Sequence, residues 1–167
     1  MALPTTDLCD AYMDDPAVEM RIANPMFRDY GGKRGFYGPV TTLKLFEDNV
    51  LVRDTLSEPG AGGVLVVDGG GSMRCALLGD NLAALGRENG WSGIVVYGCV
   101  RDSVELAAIE FGVKALNTHP RKSVKKGAGE RGVSVTFAGV TIQPGDWLYT
   151  DEDGIVVVNR ELVDSHA

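Results

Sequence analysis

The middle of the chain alternates between continuous apolar runs and segments whose apolar residues recur at helical spacing. The runs at residues 64–67 and 94–97 are typical of strands buried on both faces, as in a parallel sheet. Residues 80–89 and 102–112 follow these runs and have the apolar spacing and the terminal Asn or Gly of helices. A third short strand is predicted at residues 113–118. This order of strand, helix, strand, helix and strand predicts a central βαβαβ unit with parallel strands.

The N-terminal third has a different pattern. Residues 40–46 alternate and are rich in β-branched side chains, which predicts a strand, and residues 47–60 predict a helix. Near the start of the chain, Thr5 or Thr6 is expected to cap a short helix. Residues 24–39 are interpreted as a loop.

From residue 133 onward, the sequence is a series of short β-rich segments separated by turn signals. The turn signals are Ala138-Gly139, Pro144-Gly145 and Asp153-Gly154. Together they predict antiparallel strands joined by hairpins. Because neither a repeat nor a linker interrupts the pattern, we predict one mixed α/β domain over residues 1–167, with β-rich flanks around the βαβαβ centre.

The net charge of the chain restricts the classes of molecule that it is expected to bind. The chain has 23 acidic and 16 basic residues and a net charge of −7, which argues against a general nucleic-acid binder, because phosphate binding depends on clustered Lys and Arg. Basic residues cluster in one short stretch, which contains Arg121, Lys122, Lys125 and Lys126. We interpret this stretch as a solvated loop, with an anion contact as the alternative.

Cysteine content and hydropathy bear on the cellular setting. The three cysteines are widely spaced and form no CxxC pair, which favours reduced thiols over a disulfide framework or a zinc site. The N-terminus has neither the basic nor the apolar region of a signal peptide, and no apolar run has the length of a membrane span. We expect a cytoplasmic protein with no membrane partner.

Two glycine-rich motifs resemble ligand loops, but their contexts argue against that function. Gly127, Gly129 and Gly132 match GxGxxG, yet they precede a β-rich segment rather than opening a helix after a strand. Residues 68–72, DGGGS, lack the GK[ST] ending of a phosphate loop, so a glycine turn is favoured over a ligand contact. Neither His119 nor His166 lies in a catalytic motif, so acid–base chemistry is expected to depend on carboxylates and water.

Three charged residues flank the first helix and the second strand of the central unit. Asp80 follows Gly79 at the start of the helix, and Arg101 with Asp102 follows the strand. Taken singly, the acids are interpreted as helix caps: Asp80 for its own helix, and Asp102 or Ser103 for the next.

Together, the same three residues favour a ligand site. Ligands of parallel α/β sheets bind beyond the carboxyl ends of the strands, and the helix start reaches that crevice if residues 72–79 are short and extended. Arg101 would then bind a carboxylate or an enolate oxygen, Asp102 would offer a hard oxygen ligand to Mg²⁺, and Asp80 would orient a water.

The arrangement Asp80, twenty residues, then Arg101-Asp102 resembles the D-x20-R-D signature of class II pyruvate aldolases in the RraA-like family. The resemblance covers nearly the whole chain and includes FYGPVTTLKLFEDN, GGVLVVDGGGSMRCALLGDNLA, GWSGIVVYGCVRD and GVTIQPGDWLYTDEDGIVVV. It implies a β/β/α swivelling-type fold, a homotrimer with sites near subunit interfaces, and a divalent metal such as Mg²⁺ or Mn²⁺. The family includes 4-hydroxy-4-methyl-2-oxoglutarate aldolases, which also decarboxylate oxaloacetate, and proteins that bind and inhibit ribonuclease E.

The resemblance also implies residue roles. The substrate-binding set is Gly79, Asp80, Asn81, Leu82 and Arg101. Within it, Arg101 would stabilise the pyruvate enolate and Asp80 would hold the catalytic water. The metal ligand would be Asp102. Because the chain retains both acids, a lyase that acts on short 2-keto acids is favoured, and the alternative is a protein that inhibits ribonuclease E.

Overall fold

A computed structural model describes residues 4–162 and contains four helices and twelve strands within that range. The helices are α1 (Thr5–Tyr12), α2 (Val50–Leu56), α3 (Asp80–Glu88) and α4 (Ser103–Ala107). The strands are β1 (Met20–Ile22), β2 (Arg28–Asp29), β3 (Phe36–Lys44), β4 (Val64–Asp68), β5 (Ala76–Leu78), β6 (Gly93–Val100), β7 (Gly112–Thr118), β8 (Glu130–Arg131), β9 (Val135–Phe137), β10 (Val140–Ile142), β11 (Trp147–Asp151) and β12 (Gly154–Val158). No helix among these residues is long and apolar enough to cross a bilayer.

One large mixed sheet forms the frame of the fold, with the order β1-β12-β11-β3-β4-β6-β7-β2. Strands β3, β4, β6 and β7 are parallel to one another, while β1, β12, β11 and β2 pair in antiparallel fashion. The hairpin of β9 and β10 forms a separate two-stranded sheet. The predicted mixed α/β fold, with a parallel centre and antiparallel flanks, is confirmed.

The central strands carry apolar residues on both faces because both faces are covered. On β4, Leu65 and Val67 contribute to the core that also includes residues of α2, α3 and α4. The alternate residues, Val64 and Val66, contribute to a second core that includes the β9–β10 hairpin. All four side chains are fully buried, which explains why β4 is a continuous apolar run rather than an alternating one.

Two predicted boundaries were wrong. The segment 24–39 is not all loop: β2 lies in it, and β3 begins at Phe36, because Phe36 is buried and Tyr37 pairs with Tyr149 of β11. The predicted helix at 102–112 is only the five-residue α4. It ends early because the Ile109 carbonyl accepts hydrogen bonds from Phe111 N–H at 2.7 Å and Gly32 N–H at 2.9 Å.

The N-terminal helix is present, but its predicted cap was wrong. The residue at the cap position is Pro4, and Thr5 is the first helical residue. Thr5 donates hydrogen bonds from its backbone N–H and its hydroxyl to the Asp151 carboxylate, at 2.8 and 2.7 Å. These bonds attach the start of α1 to β11.

Candidate active site

The short strand β5, which the sequence patterns did not predict, determines where α3 begins. β5 pairs in parallel with the end of β6, with Ala76 opposite Cys99 and Leu78 opposite Val100. The Arg101 N–H continues this pairing by donating to the Leu78 carbonyl at 2.9 Å. The link before α3 is therefore short and extended, so it brings the start of α3 to the crevice beyond the strand ends. Since both strands end at the same edge, Gly79-Asp80 and Arg101-Asp102 lie side by side.

The Asp102 carboxylate lies against the start of α3. Its Oδ2 accepts a hydrogen bond from the Asp80 backbone N–H at 3.1 Å. A Cβ atom added to Gly79 would lie 2.6 Å from the same oxygen, so Gly79 leaves the space that the carboxylate occupies. Asp102 has the left-handed backbone conformation, with φ 61° and ψ 45°, which Asp adopts more readily than most residues. Strained conformations of this kind cluster at functional sites.

The predicted capping roles of both acids need correction. The cap position of α3 is Gly79, and Asp80 is the first helical residue, whose Oδ1 accepts a hydrogen bond from Asn81 N–H at 2.8 Å. Asp102 occupies the cap position of α4, but its side chain forms no cap bond there and binds the first amide of α3 instead. The fold therefore uses the Asp102 side chain to join the two helix starts.

Asp80 and Asp102 interact as a pair of carboxyl groups. A side-chain hydrogen bond with Asp102 raises the pKa of Asp80 above its ordinary value of 3.8. Partial burial and the negative charge of Asp102 act in the same direction, because both disfavour the ionised form of Asp80. Asp80 is therefore a better proton carrier than an isolated surface aspartate.

Gly79, Asp80, Arg101 and Asp102 line a cavity of about 230 Å³. Other residues of its wall had not been identified as site residues from the sequence patterns. Asn49 and Arg53 enter it from the α2 side, and Lys122, Ser123 and Lys125 enter it from the basic stretch. Among the described residues, four cationic side chains (Arg53, Arg101, Lys122 and Lys125) and two acidic ones (Asp80 and Asp102) line this space. The excess of positive charge suits a ligand with more than one negative group.

The basic stretch is held in place by a buried acid. Asp48, which is 2% exposed, accepts hydrogen bonds from the backbone N–H groups of Val50, Lys126 and Ala128, at 3.1, 2.9 and 3.1 Å. The Lys122 and Lys125 side chains are exposed, as expected of a solvated loop, but both also line the cavity. The anion-contact interpretation of this loop therefore gains support. No charge pattern in the sequence shows that Asp48 anchors it.

The two glycine motifs lie outside the cavity. Gly70 and Gly71 have φ values of 67° and 70°, so the DGGGS segment is a glycine turn, as the sequence favoured. The GAGERG segment forms a loop with the short strand β8 and opens no helix. His119 does not line the cavity either, and His166 lies outside the described residues.

The carboxylates suit a metal ion that keeps most of its water ligands. Across residues 4–162, no group of three or more His, Cys, Asp or Glu side chains converges to enclose an ion. Mg²⁺ characteristically binds one or two carboxylates and retains several waters, whereas structural zinc requires four protein ligands. A carboxylate has about four lone-pair positions, so the hydrogen bond from Asp80 N–H leaves room on Asp102 for an ion.

Comparison with known proteins places the chain in a family. The sequence model of the RraA-like family, described as aldolase/RraA, matches residues 5–157. A protein of Halorhodospira halophila named "Putative 4-hydroxy-4-methyl-2-oxoglutarate aldolase" is 76% identical over 162 residues, which are 97% of this chain and 99% of the relative.

Two solved structures are similar over nearly their full length. The structure from Geobacillus kaustophilus, described as an S-adenosylmethionine:2-dimethylmenaquinone methyltransferase, has a TM-score of 0.91 and 49% identity, covering 96% of this chain and 97% of that one. The structure of the RNA-processing inhibitor RraA from Thermus thermophilis has a TM-score of 0.91 and 46% identity, covering 100% of this chain and 99% of that one. With the family match and these similarities together, the chain belongs to the RraA-like family.

Proposed function

We propose that the protein is a divalent-metal-dependent lyase that cleaves 4-hydroxy-4-methyl-2-oxoglutarate to release pyruvate and that decarboxylates oxaloacetate. The observation that carries the proposal is the meeting of Asp80, Arg101 and Asp102 at one cationic cavity. The aldolase name of the 76% identical relative supports the same reaction class.

The start of α3 and Arg101 are the proposed binding groups for the 2-keto acid end. Residues Gly79, Asp80, Asn81 and Leu82 all line the cavity, and the first amides of a helix favour negative groups. Arg101 also lines it, and its Nη1 lies 3.5 Å from the Pro120 carbonyl, which limits where the guanidinium can point. A guanidinium fork can bind a carboxylate with two parallel hydrogen bonds.

Both proposed reactions pass through the same pyruvate enolate. Cleavage of the C3–C4 bond of 4-hydroxy-4-methyl-2-oxoglutarate, or loss of CO₂ from C3 of oxaloacetate, leaves an electron pair on C3. Because C3 is next to the keto-bearing carbon, this pair delocalises onto the keto oxygen. Arg101 stabilises the resulting negative charge by electrostatic interaction. A bound Mg²⁺ or Mn²⁺, held by Asp102, would act as a Lewis acid on the same keto oxygen.

Asp80 is the proposed positioning group for the water that transfers protons. Aldol cleavage requires removal of a proton from the 4-hydroxyl, and the enolate then requires a proton at carbon. Since the pKa of Asp80 is raised, its carboxyl can accept and return a proton through a water with less cost than an ordinary aspartate.

The test is release of pyruvate from both substrates, with and without Mg²⁺ or Mn²⁺. We expect Asp102→Ala and Arg101→Ala to abolish most of the activity. Asp54→Ala, which removes an exposed acid on α2 outside the cavity, should leave it unchanged. Full activity in either site variant would show that the residue roles are wrong.

Inhibition of ribonuclease E is the second candidate function. It is favoured by the 46% identical RNA-processing inhibitor RraA and by the net charge of −7, which suits a basic segment of a partner. A pull-down with purified ribonuclease E at low and high salt tests this partner, and absence of binding at low salt would count against it.

We also propose that the protein is a homotrimer, which size-exclusion chromatography with light scattering would test.

A further inference from the structure

A second, larger groove lies at the opposite end of the parallel strands from the candidate active site. It has a volume of about 770 Å³, and its lining includes residues 35–39, residues 149–153, Gly62 and Ser92. Gly62 lies just before β4 and Ser92 just before β6, so the groove is at the edge where the parallel strands begin. The site at Arg101 is at the edge where they end. A molecule bound in the groove would therefore leave the active site open.

Three stacked aromatic side chains line the groove. Tyr37 of β3 pairs with Tyr149 of β11, and their rings are stacked with centroids 5.5 Å apart and planes 4° apart. Trp147 follows on the same strand, 6.4 Å from Tyr149. The Tyr149 hydroxyl accepts a hydrogen bond from the Leu162 N–H at 2.9 Å, which fixes the central ring. Tyr149 is 4% exposed but Tyr37 is 38% exposed, so the groove presents a fixed aromatic surface to solvent.

The charged residues of the groove are mostly acidic. Among the described residues that line it, the charged ones are Lys33, Asp151, Glu152, Asp153 and Glu161. The Asp151 carboxylate is occupied, because it accepts hydrogen bonds from the backbone N–H and the hydroxyl of Thr5. Glu152, Asp153 and Glu161 are exposed, and no ion pair within residues 4–162 involves them. Three carboxylates beside the aromatic surface are therefore available to a cationic partner.

An aromatic surface beside free carboxylates suits a guanidinium group. The flat face of a guanidinium stacks on an aromatic ring, and its N–H groups can donate to carboxylates at the same time. An ammonium group is a compact and more strongly hydrated charge, so it gains less from the ring. The groove therefore complements arginine more closely than lysine, and its volume is large enough for several residues of a peptide.

We propose that this groove docks an arginine-bearing segment of a partner protein, with one guanidinium on the Tyr37 ring and others at the three free carboxylates. The inference deepens the second candidate function and rests on it for the identity of the partner, because it assigns the surface that a basic segment would use. It does not depend on the lyase activity.

The experiment measures peptide binding to the full chain without ribonuclease E. Fluorescence anisotropy compares a labelled peptide of alternating arginine and glycine with matched peptides in which lysine or neutral citrulline replaces arginine. We expect the arginine peptide to bind about threefold more tightly than the lysine peptide, because of its stacking on the ring. The citrulline peptide should not bind measurably, and added salt should weaken binding of both charged peptides.

Two variants separate the ring from the charges. Tyr37→Leu removes the ring but keeps an apolar side chain, so it should weaken the arginine peptide about two- to fivefold and remove its advantage over lysine. Glu161→Gln should weaken both charged peptides by a similar factor. The matched controls are Phe46→Leu and Glu88→Gln, which change an exposed aromatic residue and an exposed acid outside the groove and should change neither affinity.

The outcomes distinguish the groove from the candidate function. Equal binding of the arginine and lysine peptides, binding of neither, or unchanged arginine-peptide binding in Tyr37→Leu would overturn the proposed groove. A lower assembly mass of Tyr37→Leu in light scattering would assign the groove to a second copy of the chain and would also overturn it. Arginine-peptide binding that depends on Tyr37, without ribonuclease E in the pull-down, would overturn the second candidate function but support the groove. Retention of ribonuclease E by the native chain and its loss in Tyr37→Leu would support both.

Discussion

Replacing Gly79 with alanine tests whether the position of the Asp102 carboxylate matters for the chemistry. The φ of Gly79 is −129°, which alanine adopts without strain, so the backbone itself tolerates the change. The added Cβ would lie 2.6 Å from Asp102 Oδ2 and 3.5 Å from Arg101 Cγ. The perturbation is therefore one methyl group directed at the proposed metal ligand.

The size of the effect follows from that distance. To restore a carbon–oxygen contact of about 3.3 Å, the carboxylate must move by roughly 0.7 Å. This movement weakens its hydrogen bond with the Asp80 N–H, and we expect the free energy of unfolding to fall by about 1–2 kcal/mol. A displacement approaching 1 Å at a catalytic group costs about 10²-fold in rate, so kcat/KM for pyruvate release should fall by about that factor.

The assay pairs pyruvate release with urea unfolding of the same preparations. Gly35→Ala is the matched control, because its added Cβ would meet only the Thr150 carbonyl, at 4.0 Å. This control should change neither activity nor stability by a comparable amount. If Gly79→Ala kept the native kcat/KM, the Asp102 carboxylate would not act from the position described, and the proposed metal site would have to be abandoned.

Three other predictions concern the guanidinium, the metal and the buried acid under the basic loop. Arg101→Lys keeps the positive charge but loses the bidentate hydrogen bonding to the substrate carboxylate, so kcat/KM should fall by at least about tenfold. Steady-state kinetics at saturating Mg²⁺ would measure this change. Chelation with EDTA should abolish pyruvate release, and added Mg²⁺ or Mn²⁺ should restore it. The circular dichroism spectrum should stay unchanged, because the described residues form no enclosed metal cage. Asp48→Ala should lower the free energy of unfolding by about 3 kcal/mol, because the amides of Val50, Lys126 and Ala128 lose a charged acceptor. Burial opposes ionisation of Asp48, but these backbone hydrogen bonds prevail and hold its pKa below the ordinary value of 3.8. Its contribution to stability is therefore present above that value and is lost as the pH falls through the lower, folded pKa. The acid side of the unfolding profile should be shallower in Asp48→Ala, and an unchanged profile would contradict the role of Asp48.

Much of the fold was predictable from periodicity because burial determines periodicity. Strand β4 is covered on both faces, so its apolar run is continuous, and α3 is covered on one, so its apolar residues recur at helical spacing. The elements that were missed are short. β1 and β5 have three residues each, and β2 and β8 have two each, too few for a period to appear.

The sequence by itself identified Asp80, Arg101 and Asp102 as candidates, and the order of elements indicated that they face one crevice. It could not show which helix start the Asp102 side chain binds, because that choice depends on β5 lying beside the end of β6. It also could not show that Arg53 and Ser123 share the cavity with Arg101, since they are separated by many residues and are brought together only by packing and by the anchor at Asp48. The spacing of apolar residues within a helix or strand indicates which face of that element is buried. The contacts between side chains that are distant in sequence are determined only when the elements pack together.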